Sequence, residues 1–436
     1  MRCLQDDISG VRRIDPGTSS QFEDRGIMNI LLSGGWGYGN LGDDAILTAT
    51  VKLVRRERPE ASITVMTYDC DATRIALRGL DVRIMPSIHR HLSGDLSLRR
   101  FRPLRDASSL PASAEATFAR RMRSKFQSKI KKHYIRWAER RSRRTYSRLS
   151  RSRDAVSPLD EFQSADLFVM SGGAYLSSRW PDSVYAHALE LIAAHRSGVR
   201  SVLVGQSIGP FKKKAVETVA LDAIRLAARV SVRDDASYRD LRSYGIPCHM
   251  SPDVALAEVD FDSRKSPEIA IVANNDLRME AQEQVAQAVV QSCRAADVAA
   301  KVLVTRLWEP DVRRARVFCD TLEQAGIPAR FLIPDSCATL QREIGASRVV
   351  VSPNLHGLVL GWRAGVPCVS LQARGKYLAF MEQTHQAERA FASDRLDAGR
   401  LVWAIDDALK TQGDFKLERE RISREVAAHF SDVLNA

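Results

Sequence analysis

Long hydrophobic runs are missing from this chain. In its 436 residues the apolar stretches stop at strand length, short of the roughly 20 residues a helix needs to cross a bilayer. The polar stretch through Gly26 also lacks the apolar core of a signal peptide, and residues 1–26 are expected to form a flexible extension. Cysteine is sparse: seven residues, at Cys3, Cys70, Cys248, Cys293, Cys319, Cys337 and Cys368, with no pair at redox or metal-ligand spacing. Scattered thiols of this kind suggest reduced side chains in a cytoplasmic protein. Since no His, Cys or acid cluster has ligand spacing either, neither a metal nor a cofactor is expected. No internal repeat is visible.

What is plentiful is positive charge, +12 overall, but in one place. Between Arg99 and Arg153 nineteen Lys or Arg face three acids, Asp106, Glu115 and Glu139, so the remainder of the chain is mildly acidic. Within this segment Phe118, Met122, Phe126, Ile130, Tyr134 and Trp137 recur at three- and four-residue steps, which predicts a basic helix with one apolar stripe. Two readings stand side by side. Such a helix can lie peripherally on an anionic membrane at its inner face, or the stripe can pack on the body of the protein with its charges solvated. No nucleic-acid motif accompanies the charge, which argues against that partner.

The rest of the chain alternates apolar runs and helical periodicity, the pattern of an α/β protein. We expect two doubly wound Rossmann-like domains facing a cleft: residues 27–262, with a basic helical insertion at 99–153, and residues 263–385, followed by C-terminal helices over 386–436. Strands are predicted at Met28 to Leu32, Asp166 to Met170, Arg200 to Gly205 and Val230 to Val232, then at Ile269 to Ala273, Lys301 to Thr305, Ala329 to Ile333, Arg348 to Val351 and Val366 to Leu371. Many run into small or polar residues at their carboxyl ends, where open parallel sheets hold ligands.

The densest such turn is Ser33-Gly-Gly-Trp36-Gly37-Tyr38-Gly39-Asn40-Leu-Gly42-Asp43-Asp44, between the first strand and a helix expected to start near Asp43. Glycines let a ligand approach the backbone, and free amides at a helix start favour an anion. Gly37, Gly39 and Gly42 satisfy the dinucleotide fingerprint. However, the next strand ends at Asp69, later than the usual spacing, and Asp43 and Asp44 would repel a pyrophosphate. Beside these glycines, and beside Gly172 and Gly173, Asn40, Asp43 and Asp253 are candidates for sugar hydroxyls. Asp43 could equally cap its helix. Trp36, Tyr38 and Tyr175 could stack on a sugar or pack internally.

From Met28 to about Phe380, interrupted by the basic segment, the chain resembles the polysaccharide pyruvyl transferases. The resemblance is carried in order by Gly39-Asn-Leu-Gly-Asp43, Ser171-Gly172-Gly173, Gly205-Gln206-Ser207-Ile-Gly209-Pro210, Ser231-Val-Arg233-Asp234 with Ser237, Pro252-Asp253, and Leu355-His356-Gly357 through Gly365-Val-Pro367 to Lys376. It implies a fold similar to the two-domain GT-B glycosyltransferases. It also implies transfer of an enolpyruvyl unit from phosphoenolpyruvate, as co-substrate, to a sugar of a polysaccharide or its lipid-linked precursor. For such a donor arginine suits both carboxylate and phosphate, and a general acid must protonate the methylene carbon. Arg233 and His356 are the candidates for these roles. Gln206, Ser207 and Gly209 are expected near the donor. The family commonly has arginine where this chain has Asn354; Arg363, Arg374 and Lys376 are the cations available to compensate. A sugar-nucleotide glycosyltransferase and a non-catalytic member of a polysaccharide assembly complex remain as alternatives.

Overall fold

The computed structural model describes residues 27–89, 92, 139–151, 159–258, 265–411 and 415–435. The extension 1–26 and the stripe from Phe118 to Trp137 lie outside the described residues.

Short β-branched runs build two parallel sheets. The first domain contains β1 (Asn29–Ser33), α1 (Leu41–Glu57), β2 (Ser62–Thr67), α2 (Cys70–Ala76) and β3 (Arg83–Pro86). It continues with β4 (Leu167–Leu176), α3 (Pro181–Arg196), β5 (Arg200–Ile208), α4 (Lys214–Ile224), β6 (Arg229–Val232), α5 (Asp235–Ser243) and β7 (His249–Met250). The strand order is β3-β2-β1-β4-β5-β6-β7. After a 3₁₀ turn at Val254–Ala257, the second domain holds β8 (Glu268–Val272), α6 (Met279–Ala296), β9 (Ala299–Leu303), α7 (Glu309–Gln324), β10 (Ala329–Leu332) and α8 (Cys337–Gly345). Then come β11 (Val349–Ser352), α9 (Leu355–Arg363), β12 (Cys368–Ser370) and α10 (Lys376–Gln383), in the sheet order β10-β9-β8-β11-β12. Each order reverses beside its first strand, between β1 and β4 and between β8 and β11, and a crevice opens at such a point beyond the strands' carboxyl ends.

Several predicted boundaries move, each for a physical reason. The helix expected near Asp43 starts at Leu41 with Asn40 at its N-cap, so Asp43 and Asp44 occupy its first turn, where carboxylates complement the helix dipole. β4 and β5 run past Met170 and Gly205, because their glycines adopt positive φ inside the strands instead of ending them. At Gly172 a Cβ would stand 2.4 Å from Ile46 Cγ2, so the small residue there serves close packing of β4 on α1. β3 and β7, with four and two residues, are too short to show a period in the sequence.

α1 is buried on nearly all sides because it lies between the domains. Its outer face meets the 3₁₀ turn and α8, where Thr48 Oγ1 is 3.7 Å from Cys337 Sγ. A continuous apolar core therefore links Ile30 and Val65 of one sheet, through Val254 and Leu256, to Ile271 and Val350 of the other. α11 (Ala398–Lys410) packs on α6. α12 (Lys416–Asn435) spans both domains: Arg419 donates to the Arg363 carbonyl at 2.7 Å, and Ser431 to Glu57 at 2.8 Å.

The second joint is the glycine turn itself. Leu41 N donates to Thr305 O at 2.8 Å and Leu307 N to Gly39 O at 2.7 Å, forming an antiparallel bridge between Asn40 and Arg306. Trp308 locks it, stacking on Tyr38 with ring centroids 5.8 Å apart and donating Nε1 to the Tyr38 carbonyl at 2.9 Å. Trp308→Ala removes an aromatic pair and a hydrogen bond, each worth about 1 kcal/mol. We expect hydrogen exchange at the Leu41 and Leu307 amides to quicken about tenfold or more while β1 and β8 stay protected; unchanged exchange would show that the bridge holds without Trp308.

Candidate functional site

The two crevices face each other, and a cavity of about 220 Å³ lies between them. The turn after β1 contributes Tyr38, Asn40 and Asp43; the end of β4 contributes Tyr175; the turn after β11 contributes Asn354 and His356. Arg233 enters from the end of β6 and Lys376 from the start of α10.

Arg233 follows directly on β6, and its side chain is only 3% exposed. Its Nε donates to Ser207 Oγ at 3.0 Å and its Nη1 to Asp253 Oδ2. Asp253 also accepts from the Ala255 amide at 3.0 Å, as the N-cap of the 3₁₀ turn. Burial works to raise the Asp253 carboxyl, but Arg233, His356 and the amide together hold it below the usual carboxylate range. Arg233 thus reaches the cavity partly neutralised.

His356 sits in the first turn of α9, whose N-cap Asn354 accepts the His356 amide on Oδ1 at 2.9 Å. The ring is packed against Gly42, where a Cβ would stand 2.0 Å from Nδ1. This contact, and not a ligand, explains Gly42. The Nε2 atom lies 3.7 Å from Asp43 Oδ1 and has no hydrogen-bond partner. Burial pushes the imidazole below its ordinary value, helped by Arg233 and Lys376 and opposed by Asp43 and Asp253. Asp43 in turn accepts from the Tyr38 hydroxyl at 2.7 Å and from Asn40 Nδ2 at 2.6 Å. Lys376 is pushed down to about 8, by burial and by Arg233.

The sequence-derived candidates divide clearly. Asn40, Asp43, Arg233, Asn354, His356 and Lys376 come together on one wall system. Asp253 and Ser207 stand behind Arg233 as its partners. Gln206 is buried and donates to Tyr175 at 2.7 Å and to the Met170 carbonyl at 3.0 Å, supporting the wall from within. Gly37, Gly39, Gly172, Gly173 and Gly209 take positive φ for backbone reasons and do not line the cavity. The expected anion site at the start of α1 is not available, since the Leu41 amide is bonded to Thr305 and Gly37 N donates to Asp44 at 3.2 Å. Of the three cations offered as substitutes for an arginine at Asn354, only Lys376 lines the cavity. Arg363 is buried, donating to the Ala255 carbonyl at 2.6 Å, and Arg374 is exposed outside it. Trp36 is core, its Nε1 donating to the Met66 carbonyl at 2.9 Å.

Sequence reasoning missed a further set of lining residues, Tyr68, Arg179, Trp180, Arg306, Trp308 and Tyr377. These residues come from four connections, after β2, β4, β9 and β12, and no local motif unites them. Arg306 is charge-compensated there by Asp276 at 3.0 Å and Asp311 at 2.6 Å.

Comparison with known proteins agrees with this geometry. The fold is similar to UDP-GlcNAc 2-epimerase from Neisseria meningitidis bound to UDP-GlcNAc, with TM-score 0.54 and 8% identity over 93% of this chain and 99% of that one. It is also similar to UDP-GlcNAc 2-epimerase from Methanocaldococcus jannaschii, with TM-score 0.53 and 9% identity over 89% and 94% of the respective chains. At such identities the likeness establishes the two-domain, GT-B-like fold alone. No curated protein sequence matches the chain. The sequence pattern of one family, polysaccharide pyruvyl transferase, matches residues 40–372, from the cap of α1 past β12, and includes every charged residue on the His356 wall but Lys376. The chain belongs to the polysaccharide pyruvyl transferase family.

Proposed function

We propose that the chain transfers a pyruvyl group from phosphoenolpyruvate to a saccharide, closing a pyruvate ketal on two hydroxyls. The observation that carries most weight is His356: a buried ring nitrogen with no hydrogen-bond partner, at a cavity wall shared with Arg233 and Lys376. Buried polar atoms are seldom left unpaired, and a ligand would satisfy this one. The donor's phosphate and carboxylate would face Arg233, Lys376 and the positive end of the α9 dipole. His356 would then protonate the methylene carbon while one hydroxyl adds to the neighbouring carbon; phosphate leaves and the second hydroxyl closes the ring. The two hydroxyls give up two protons, of which one balances the new methyl group and the other departs with phosphate. Burial keeps His356 neutral in the free protein, and the arriving anions favour its charged form.

Three measurements on the purified chain test the donor site. His356→Ala should lower phosphate release from phosphoenolpyruvate by about a hundredfold or more, with donor affinity nearly kept. Lys376→Ala should instead weaken donor binding by about tenfold. Because Lys376 is charged below pH 8 and neutral above, donor affinity in the native chain should fall between pH 7 and 9.5, and the variant should lose that dependence. A larger thermal stabilisation by UDP-GlcNAc than by phosphoenolpyruvate would favour a sugar-nucleotide enzyme.

Asn354→Arg probes the position where the family pattern is broken. It removes the Oδ1 cap of α9, costing about 1 kcal/mol, and adds charge where Lys376 already stands. We expect a lower melting temperature and a donor affinity within a few-fold of the original; a marked gain would mean that Lys376 leaves the site short of charge.

We also infer that the acceptor is presented at a membrane surface. Of the basic segment, 139–149 is helical: Tyr146 packs against Tyr185 with ring centroids 5.5 Å apart, while Arg140, Arg141, Arg143, Arg144 and Arg148 are exposed. Glu139, the first described residue there, pairs with Lys213 and lines the cavity, so the basic stretch adjoins the site itself. Among the described residues no helix is long and apolar enough to cross a membrane. Each basic residue near an anionic surface contributes about 1 kcal/mol, screened by salt. The chain should therefore sediment with phosphatidylglycerol vesicles at low salt and be released at high salt; no sedimentation at any salt rejects the membrane reading.

A further inference from the structure

A second polar chain reaches the same cavity from the core of the first domain. Glu190 and His187 share one face of α3 and are 0% and 1% exposed. His187 Nδ1 lies 2.8 Å from Glu190 Oε2, which also accepts the Ser33 hydroxyl at 2.6 Å. The other ring nitrogen, Nε2, lies 3.4 Å from the Tyr68 hydroxyl. That hydroxyl is 3.0 Å from Ser183 Oγ, and Tyr68 and Ser183 line the cavity. So a buried carboxylate holds one edge of an imidazole, and its opposite edge faces a phenol at the cavity wall.

Packing alone does not explain this arrangement. Glu190 Oε1 has no hydrogen-bond partner, and an enclosed carboxylate is costly unless it serves its neighbours. An acid on Nδ1 fixes the tautomer that leaves Nε2 open to accept a proton, and it stabilises the imidazolium that forms. Around His187 stand Tyr68 from the end of β2, His89 after β3, Tyr175 from β4 and Glu190 from α3 itself. Burial pushes the His89 imidazole down to about 3, and this ring supplies no competing charge near neutrality.

We propose that Tyr68 receives the proton of the attacking acceptor hydroxyl, with His187 and Glu190 as its positioning residues; the inference rests on the pyruvyl-transfer reading above. As the acceptor oxygen bonds to the donor carbon, its proton passes to Tyr68 Oη while the phenol proton passes to His187 Nε2. The imidazolium, held by Glu190, then returns its proton to Tyr68 Oη, the group that lines the cavity, and Tyr68 passes one proton on to the departing phosphate; His356 gives its proton to the methylene carbon and is restored by the second hydroxyl. Acid and base thus lie on different domains, with the acceptor between them.

The test compares the full chain with Tyr68→Phe, His187→Gln and Glu190→Gln. With phosphoenolpyruvate and a panel of methyl gluco-, galacto- and mannopyranosides, Tyr68→Phe should lower kcat at least ~100-fold with KM for phosphoenolpyruvate and melting temperature nearly unchanged. Glu190→Gln should also lower kcat and should abolish the downfield Nδ1 proton resonance of His187 in the proton spectrum. Wild-type kcat in Tyr68→Phe, beside measurable ketal formation by the native chain, overturns the proposal. Should the native chain form no ketal from any of these acceptors, the pyruvyl reading fails by itself. The placement of Tyr68 is then decided with ¹³C-tyrosine protein: a Tyr68 resonance that moves on adding the pyranosides supports an acceptor contact, and one that stays fixed removes it.

Discussion

The antiparallel bridge between Asn40 and Arg306 is the joint on which the cavity depends. It involves two short backbone hydrogen bonds, but it consumes the Leu41 amide and the Gly39 carbonyl, groups that would otherwise face solvent at the start of α1. A glycine-rich turn that looks from its spacing like a ligand cradle is thereby committed to the partner domain. Positive φ at Gly37 and Gly39 gives the turn its shape, and the absence of a side chain at Gly42 lets His356 of the second domain press against α1. The same contact places Asp43 within 3.7 Å of the ring. Catalytic candidates on different domains are brought into register by backbone pairing, a more rigid device than side-chain contact alone.

Charge on the His356 wall is compensated within the protein before any ligand arrives. Arg233 is tied to Asp253, His356 is kept neutral by burial, and Lys376 is pushed down to about 8. Such a wall avoids the large cost of enclosing bare cations. It also responds to an anion, because every group on it gains proton affinity when negative charge enters. The rest of the lining is different in kind: the rings of Tyr68, Trp180, Trp308 and Tyr377, with Arg179 and the compensated Arg306. A cavity lined by both charged groups and aromatic rings suits a ligand pair in which a small anion meets a ring bearing hydroxyls.

α12 adds the second constraint. By binding the Arg363 carbonyl at one end and Glu57 toward the other, it fastens the C-terminus of the chain across both domains. With α1 buried between the sheets and a common apolar core, the seam between the domains is tightly packed.

The alternation of apolar runs with helical periodicity already specified two parallel α/β layers, and ordered motifs at strand ends already pointed to Arg233, Asn354 and His356, since parallel strands deliver the residues that follow them to a single edge. Which of the later cations joins Asn354 at the cavity was legible only as a choice among three, because Arg363 in α9, Arg374 before α10 and Lys376 at the start of α10 carry the same charge, and only the fold brings Lys376 to the cavity. The aromatic wall, the Glu190–His187–Tyr68 chain and the docking role of the glycine turn were not legible. Their residues lie as much as 309 positions apart, from Tyr68 to Tyr377, and meet only when sheets and helices pack. Local sequence determined which elements form and which end of each sheet carries polar groups; tertiary packing decided which of those groups meet, because proximity across two domains is a property of the assembled cores and not of spacing along the chain.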